Sequence, residues 1–253
     1  MFTILQTGFH YSATEGYGFG GSYTLAIMLM VAVAVVGMIV QMRLKTVTRY
    51  YSEKPSPRGM TGRDIAEKML HDHGIYNVAV THVQGHLTDH FDPKTNVIRL
   101  SDSVYDSTSV ASIGVACHEA GHAVQYAQNY GPIKLRAAII PVTNIGSKLA
   151  MPLILLGILF SYMGDASYWL VYAGIACFGL SLVFQLITLP VEFNASRRAM
   201  QAIEGANILT DEEQRGARKT LTAAAMTYVA ATAVALMQLL RLILIFGGRR
   251  RND

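Results

Sequence analysis

Cys117-His118-Glu119-Ala120-Gly121-His122-Ala123-Val124 is the stretch on which the fold and its chemistry turn. On an α-helix, residues four apart lie one above the other on the same face, so His118 and His122 can both reach one metal ion. Glu119 leaves the helix in an adjacent direction, close enough to take a proton from a water on that ion. This is the His-Glu-x-x-His arrangement of zinc hydrolases. From Val110 to Val124 the only charged side chain is Glu119. A helix that apolar belongs in a core, where a lone carboxylate is costly unless a positive charge lies beside it. A bound Zn²⁺ supplies that charge. Gly121 weakens the helix and predicts close approach of another backbone. The bland alternative is a buried helix that happens to hold two histidines and a glutamate, with its carboxylate unpaired.

A catalytic zinc site commonly has three protein ligands and one open position. Residues Gln128 to Leu135 offer neither histidine nor carboxylate, so the third ligand comes from further along the chain. Glu192, just past Leu189-Pro190, is the choice; Glu204, Asp211 and Glu212 compete from a more polar stretch. Topology supports Glu192. Two apolar runs, Leu149 to Met163 and Trp169 to Leu189, lie between His122 and Glu192, and two crossings return the chain to the face it left.

The chain as a whole has 253 residues and is 51% hydrophobic, with a mean hydropathy of +0.30. That excludes an ordinary soluble domain and points to a membrane protein. Tyr23 to Val40 is an unbroken apolar run, followed at once by Arg43, Lys45, Arg49, Lys54, Arg58 and Arg63. Positive charge stays inside, which puts residues 1–22 outside the cell and residue 43 onward in the cytoplasm. Lys134, Arg136 and Lys148 before the second and third runs, and Arg197 and Arg198 after them, place the feet of that hairpin on the cytoplasmic side too. The last run, Leu221 to Phe246, is basic at both ends and interrupted by Arg241. It reads either as a span with its C-terminus outside or as a helix lying in or re-entering the membrane. The net charge of +4 sits in clusters beside apolar runs, so it reports topology and not nucleic-acid binding. Two cysteines, Cys117 and Cys177, make no disulfide framework and read as buried thiols.

Between the first span and the metal helix, residues 50–60 read as a linker. Thr61 with Asp64 three positions on resembles a capping box for a helix with Ile65, Ala66, Met69 and Leu70 on its apolar face and Gly74 at its end. Val78, Val80 and Val83 suggest a strand, Asn96 to Ser101 a second, and Leu87 to Phe91 a third, with Asp92-Pro93-Lys94-Thr95 as a turn. Ser107 or Ser109 caps the metal helix.

Glu192-Phe193-Asn194-Ala195, after the hairpin, resembles the third-ligand segment of integral-membrane gluzincins, the group of HtpX and the CAAX prenyl proteases. The chain is more similar still to the neutral zinc metallopeptidases of the YugP type. That likeness rests on Gly85-His86-Leu87-Thr88-Asp89-His90-Phe91-Asp92-Pro93, on the metal helix with Pro132-Ile133-Lys134-Leu135-Arg136, on Leu189-Pro190-Val191-Glu192-Phe193, and on Gln238-Leu239-Leu240-Arg241. It spans nearly the whole chain and implies a prokaryotic multi-pass plasma-membrane zinc peptidase. Ser196 stands where the prenyl-protease group has the aspartate that orients a ligand histidine. Ser196, Asp89 or Asp92 takes that role here.

The expected architecture is therefore a mainly α integral membrane protein with three to four membrane helices and a small cytosolic α+β, zincin-like catalytic domain. Its parts are an extracytoplasmic segment (1–22), a first span (23–42), a cytosolic protease domain (43–148), a hairpin of spans (149–189), a cytosolic helix carrying the third ligand (190–220), and a C-terminal membrane helix with a basic tail (221–253). His118, His122 and Glu192 hold Zn²⁺, Glu119 is the general base, and His86, His90 and Arg197 are candidate donors to the oxyanion. The partners expected are the lipid bilayer and a peptide or protein substrate, including membrane or misfolded proteins, held along an exposed strand edge. Two rivals come from other classes. One is a non-catalytic membrane assembly or chaperone factor with structural zinc, which would not need Glu119. The other is a transporter or channel using membrane histidines, whose ligands would lie at mid-membrane and not at the ends of spans.

Overall fold

The computed structural model describes residues 17–164 and 166–247. Most of the expected extracytoplasmic segment, Asp165 at the hairpin tip, and the tail with Arg249-Arg250-Arg251 lie outside the described residues. The fold is mostly helical, with one small sheet. Among the described residues, four helices are long and apolar enough to cross a bilayer: α1 (Tyr17–Ser52), α4 (Gly131–Leu159), α5 (Ala166–Gly205) and α6 (Asp211–Gly247). Their apolar side chains face outward: Val31, Val35 and Met38 on α1, Leu155 and Leu159 on α4, Val183 and Leu186 on α5, and Leu236 and Ile243 on α6 are all exposed. Surfaces of that kind suit lipid and not water.

The spans pack where small residues let backbones meet. In the α4/α5 hairpin, a Cβ on Gly157 would fall 2.9 Å from the Ser167 carbonyl oxygen, and one on Gly174 would fall 2.7 Å from that of Ala150. At the start of α6, a Cβ on Gly216 would meet the Tyr51 ring at 2.5 Å. So α6 begins where α1 ends and runs back along it. The ambiguous last stretch is one unbroken helix.

These helices overrun the limits their apolar runs suggested, except that α4 stops at Leu159, short of Met163. α1 continues through its basic turns to Ser52, and α4 begins at Gly131 behind Pro132, well before residue 148. α5 passes through Pro190 without a break and ends at Gly205. What changes at Pro190 is the surroundings. Val183 and Leu186 before it are exposed, whereas Val191, Ala195, Ala199 and Ile203 after it are fully buried.

Those buried residues join a compact core outside the spans. α2 (Gly62–Asp72) starts with the expected capping box, the Thr61 hydroxyl accepting from Asp64 N and the Asp64 carboxylate accepting from Thr61 N. Its apolar face, Ile65, Met69 and Leu70, packs with Ile98, Leu100, Ile113 and Val124. The sheet has the order β1 (Ala79–Val83), β3 (Val97–Ser101), β2 (His90–Asp92). β1 pairs parallel to β3, and β2 pairs antiparallel to it with Phe91 opposite Ile98. β2 is thus an edge.

This edge strand starts three residues later than Leu87. Gly85 and Leu87 both have positive φ (117° and 60°), which folds 84–89 into a loop instead of a strand. Asp89 pins its end by accepting from Ser101 N at 2.7 Å, and Asp102 accepts from Gly85 N at 2.9 Å. α3 (Val110–Ala127) follows, capped by Ser109.

Candidate metal centre

α3 lies across the buried end of α5. Gly121 makes the crossing close: a Cβ there would stand 2.8 Å from the Ala195 carbonyl oxygen. The expected approach of a second backbone is therefore that of α5. It brings Glu192 Oε2 to 3.3 Å from His118 Nε2 and 3.6 Å from His122 Nε2. Two donors held about 2.0–2.1 Å from one ion at tetrahedral angles stand about 3.3 Å apart. Among the described residues, His118, His122 and Glu192 form a group whose donor atoms all lie within 4.8 Å of one another. The donor set and spacing fit Zn²⁺.

The outer ring nitrogens are held as a metal site requires. Gln125 is fully buried, and its amide NH₂ donates to the Val191 carbonyl (2.8 Å) and to Asn194 Oδ1 (2.9 Å). Its oxygen therefore accepts from His122 Nδ1 at 3.0 Å, which turns the Nε2 lone pair toward Glu192. On His118 the partner of Nδ1 is Ser196 Oγ at 3.1 Å. Asp89 and Asp92 bond neither histidine. Asp89 is spent on Ser101, and Asp92 accepts from Lys94 N, Thr95 Oγ1 and Arg99.

Negative charge accumulates here. Glu192 is 2% exposed and Glu119 9%. Burial pulls the His122 imidazole down, but hydrogen bonding to Glu192, the Glu119 and Glu192 charges and the Gln125 oxygen outweigh it and move the group up. A cation is thus favoured where the three donors meet. Arg136 on α4 supplies part of the balance, donating from Nη1 to Glu192 Oε1 at 3.0 Å. That occupies one carboxylate oxygen and leaves Oε2 to the histidines. Glu119 is steadied differently, its Oε2 accepting from the Phe91 N–H of the edge strand at 3.1 Å.

Two cavities meet at these residues. One, of about 250 Å³, is walled by Phe91, Tyr126, Ile133 and Ile140, with Arg136 and His90 at its border. The other, of about 180 Å³, is walled by Leu87, Val115, Leu221, Ala224 and Ala225. His118, Glu119, Glu192 and Tyr228 line both. Of the three candidate oxyanion donors, His90 is at the cavity. His86 bonds Ser103 on the far side of the loop, and Arg197 is exposed and lines neither cavity. Glu204 pairs with Arg218 away from the centre. Gln125, Arg136 and Tyr228 escaped sequence reasoning. A polar residue three positions after His122 in an apolar helix is a faint signal for Gln125. Arg136 was read only as part of a family motif and a topological charge, and nothing local marks Tyr228.

A family model described as "Putative neutral zinc metallopeptidase" matches residues 26–247. The chain belongs to this neutral zinc metallopeptidase family. One similar protein is "Putative membrane protease YugP" of Bacillus subtilis (strain 168), 43% identical over 229 residues, which covers 90% of this chain and 100% of that protein. No solved structure matches. The family description agrees with the donor set assembled by α3 and α5. The membrane-protease relative and the four apolar helices together describe a multi-pass membrane protein.

Proposed function

We propose that the protein is an endopeptidase that hydrolyses peptide bonds at the cytoplasmic face of the plasma membrane, with a zincin-like centre held by His118, His122 and Glu192. The observation that carries this reading is the convergence of three correctly spaced donors beside Glu119, in a centre that opens into a cavity on each side. Room on both sides suits the interior of a chain and not only its end.

When bound, zinc lowers the pKa of a coordinated water towards about 7 and polarises the scissile carbonyl. Glu119 is placed to accept the water's proton and return it to the leaving nitrogen, one oxygen being anchored by the Phe91 amide. Tyr228, Arg136 and His90 border the space where the carbonyl oxygen would sit and are the donors available to it. The edge strand β2 offers main-chain groups along which an extended peptide can pair. The cavity walled by Phe91, Tyr126, Ile133 and Ile140 suits a large apolar side chain, and the alanine-lined cavity a smaller one. The cytoplasmic assignment rests on the basic residues at the ends of α1 and α5. A structural zinc would need neither Glu119 in the wall nor the open cavities.

The test uses the full chain in detergent with zinc and an unfolded model protein as substrate. Glu119→Gln is expected to keep its zinc and lose about 10²–10⁴-fold in cleavage rate. A zinc-loaded Glu119→Gln protein that cleaves at the wild-type rate would falsify the general-base role.

A further inference from the structure

A cavity of about 640 Å³ lies away from the metal centre. It lies between the basic end of α1 and the loop after β1. One side is a single face of α1 with Gln41, Lys45, Thr48, Arg49 and Ser52; the other is His86, Leu87 and Ser103. We propose that this cavity binds an anionic glycerophospholipid, its phosphate between Lys45, Arg49 and His86.

Four observations support that occupant. The first is depth. The apolar run of α1 ends at Val40, so Gln41 to Ser52 lie where hydrocarbon gives way to headgroups. The second is charge. Lys45 and Arg49, one turn apart, face the cavity with His86, against the single carboxylate of Glu53, which pairs with Arg49 at 3.4 Å in an exposed contact. The third is orientation. Ser103 Oγ lies 3.3 Å from His86 Nδ1, so Nε2 has no protein partner among the described residues. Thr48, Ser52 and Ser103 also line the cavity, the Ser52 hydroxyl donating to the Thr48 carbonyl and that of Ser103 bonding Ser101 and His86. The fourth is a track for an acyl chain. Met42 lines the cavity, and Met38, Val35 and Val31 continue its face along α1, all exposed.

Leu87 separates this site from the metal. It is 67% exposed, is held at φ 60°, and lines both this cavity and the alanine-walled one beside His118. A lipid seated here would form the outer face of a metal-site wall.

The test is independent of peptidase activity. The full chain is exchanged into mixed phosphatidylcholine and phosphatidylglycerol vesicles, re-extracted, and its retained lipid identified by native mass spectrometry. Phosphatidylglycerol is expected to be retained over phosphatidylcholine. The double variant Lys45→Glu/Arg49→Glu is expected to retain about tenfold less. Arg43→Glu/Arg58→Glu, an equal charge change at residues outside the cavity, is expected to retain as much as wild type. Unchanged zinc content serves as the folding control. Equal loss in both double variants would mean diffuse surface attraction and overturn the site. So would equal retention of phosphatidylcholine, release of the lipid by inorganic phosphate alone, or a co-purifying peptide in place of lipid.

Discussion

The two halves of α5 place their aliphatic residues in opposite surroundings. Before Pro190, Val183 and Leu186 point out of the protein; after it, Val191, Ala195, Ala199 and Ile203 are sealed in the core with α3. One continuous helix thus serves two solvents, lipid in its first part and packed protein in its second. Glu192 stands two residues past the change. The difference teaches where a membrane protein can build a metal site. The donors need a dry, rigid neighbourhood, and the helix leaving the bilayer supplies its first turn of buried backbone there.

Breaking the buried half should have the largest effect. Glu192→Ala removes a proposed ligand and leaves Arg136 without its partner. Zinc affinity measured by chelator competition is expected to fall by more than the roughly 10–100-fold that loss of a ligand's own supporting partner costs. A comparable alanine at Val183, in the lipid-facing half, is expected to leave zinc binding alone.

Next come the glycines. Gly121→Ala drives a methyl group toward the Ala195 carbonyl, whereas Gly37 in α1 has nothing within 4 Å of its would-be Cβ. Gly121→Ala is expected to cost about 1–3 kcal/mol and to weaken zinc binding as α3 and α5 separate. Gly37→Ala should do neither. Equal melting temperatures for the two variants would show that the close crossing is not what assembles the site.

A finer comparison concerns the two histidines. Gln125 supports His122 from within its own helix and also ties to Val191 and Asn194, while Ser196 supports His118 with a single contact. Gln125→Ala should weaken zinc by about 10–100-fold, and Ser196→Ala by less.

The smallest effect separates the core outside the spans from the spans by acid. Hydrogen bonds from the Thr95 hydroxyl and the Lys94 amide hold the Asp92 carboxyl down at about 2. A carboxyl depressed on folding adds stability above its unfolded value, about 3.9, and that stability is lost as pH falls through about 2. Asp92→Asn should flatten the acid dependence of the turn's order, followed by amide exchange, and leave α1 unchanged.

Much of this was legible in the sequence because it is local. The capping box at Thr61 and Asp64 and the pairing of His118 with His122 depend on spacings of three or four residues. That Glu192 comes to lie beside the two histidines was reached by ligand counting and the parity of two crossings. Helix limits were less legible. Apolar runs report where lipid begins, and polar turns such as Arg43 to Ser52 continue the same hydrogen-bonded helix beyond it. The loop at Leu87 was missed because its backbone is set at long range, by Ser101 of β3 donating to Asp89 and by Gly85 donating to Asp102 in the turn after β3. Arg136 and Tyr228 were missed because only the tertiary packing of α4 and α6 brings them to the metal residues.

The central claim is that one zinc ion is bound by the two imidazoles of α3 and the carboxylate of α5. Zinc-edge X-ray absorption on the full chain reads those ligands directly. Two imidazole nitrogens at about 2.0–2.1 Å with oxygen donors at about 2.0–2.2 Å are predicted. A sulfur scatterer at about 2.3 Å, which would bring in Cys117, or a spectrum unchanged in Glu192→Ala, would contradict it.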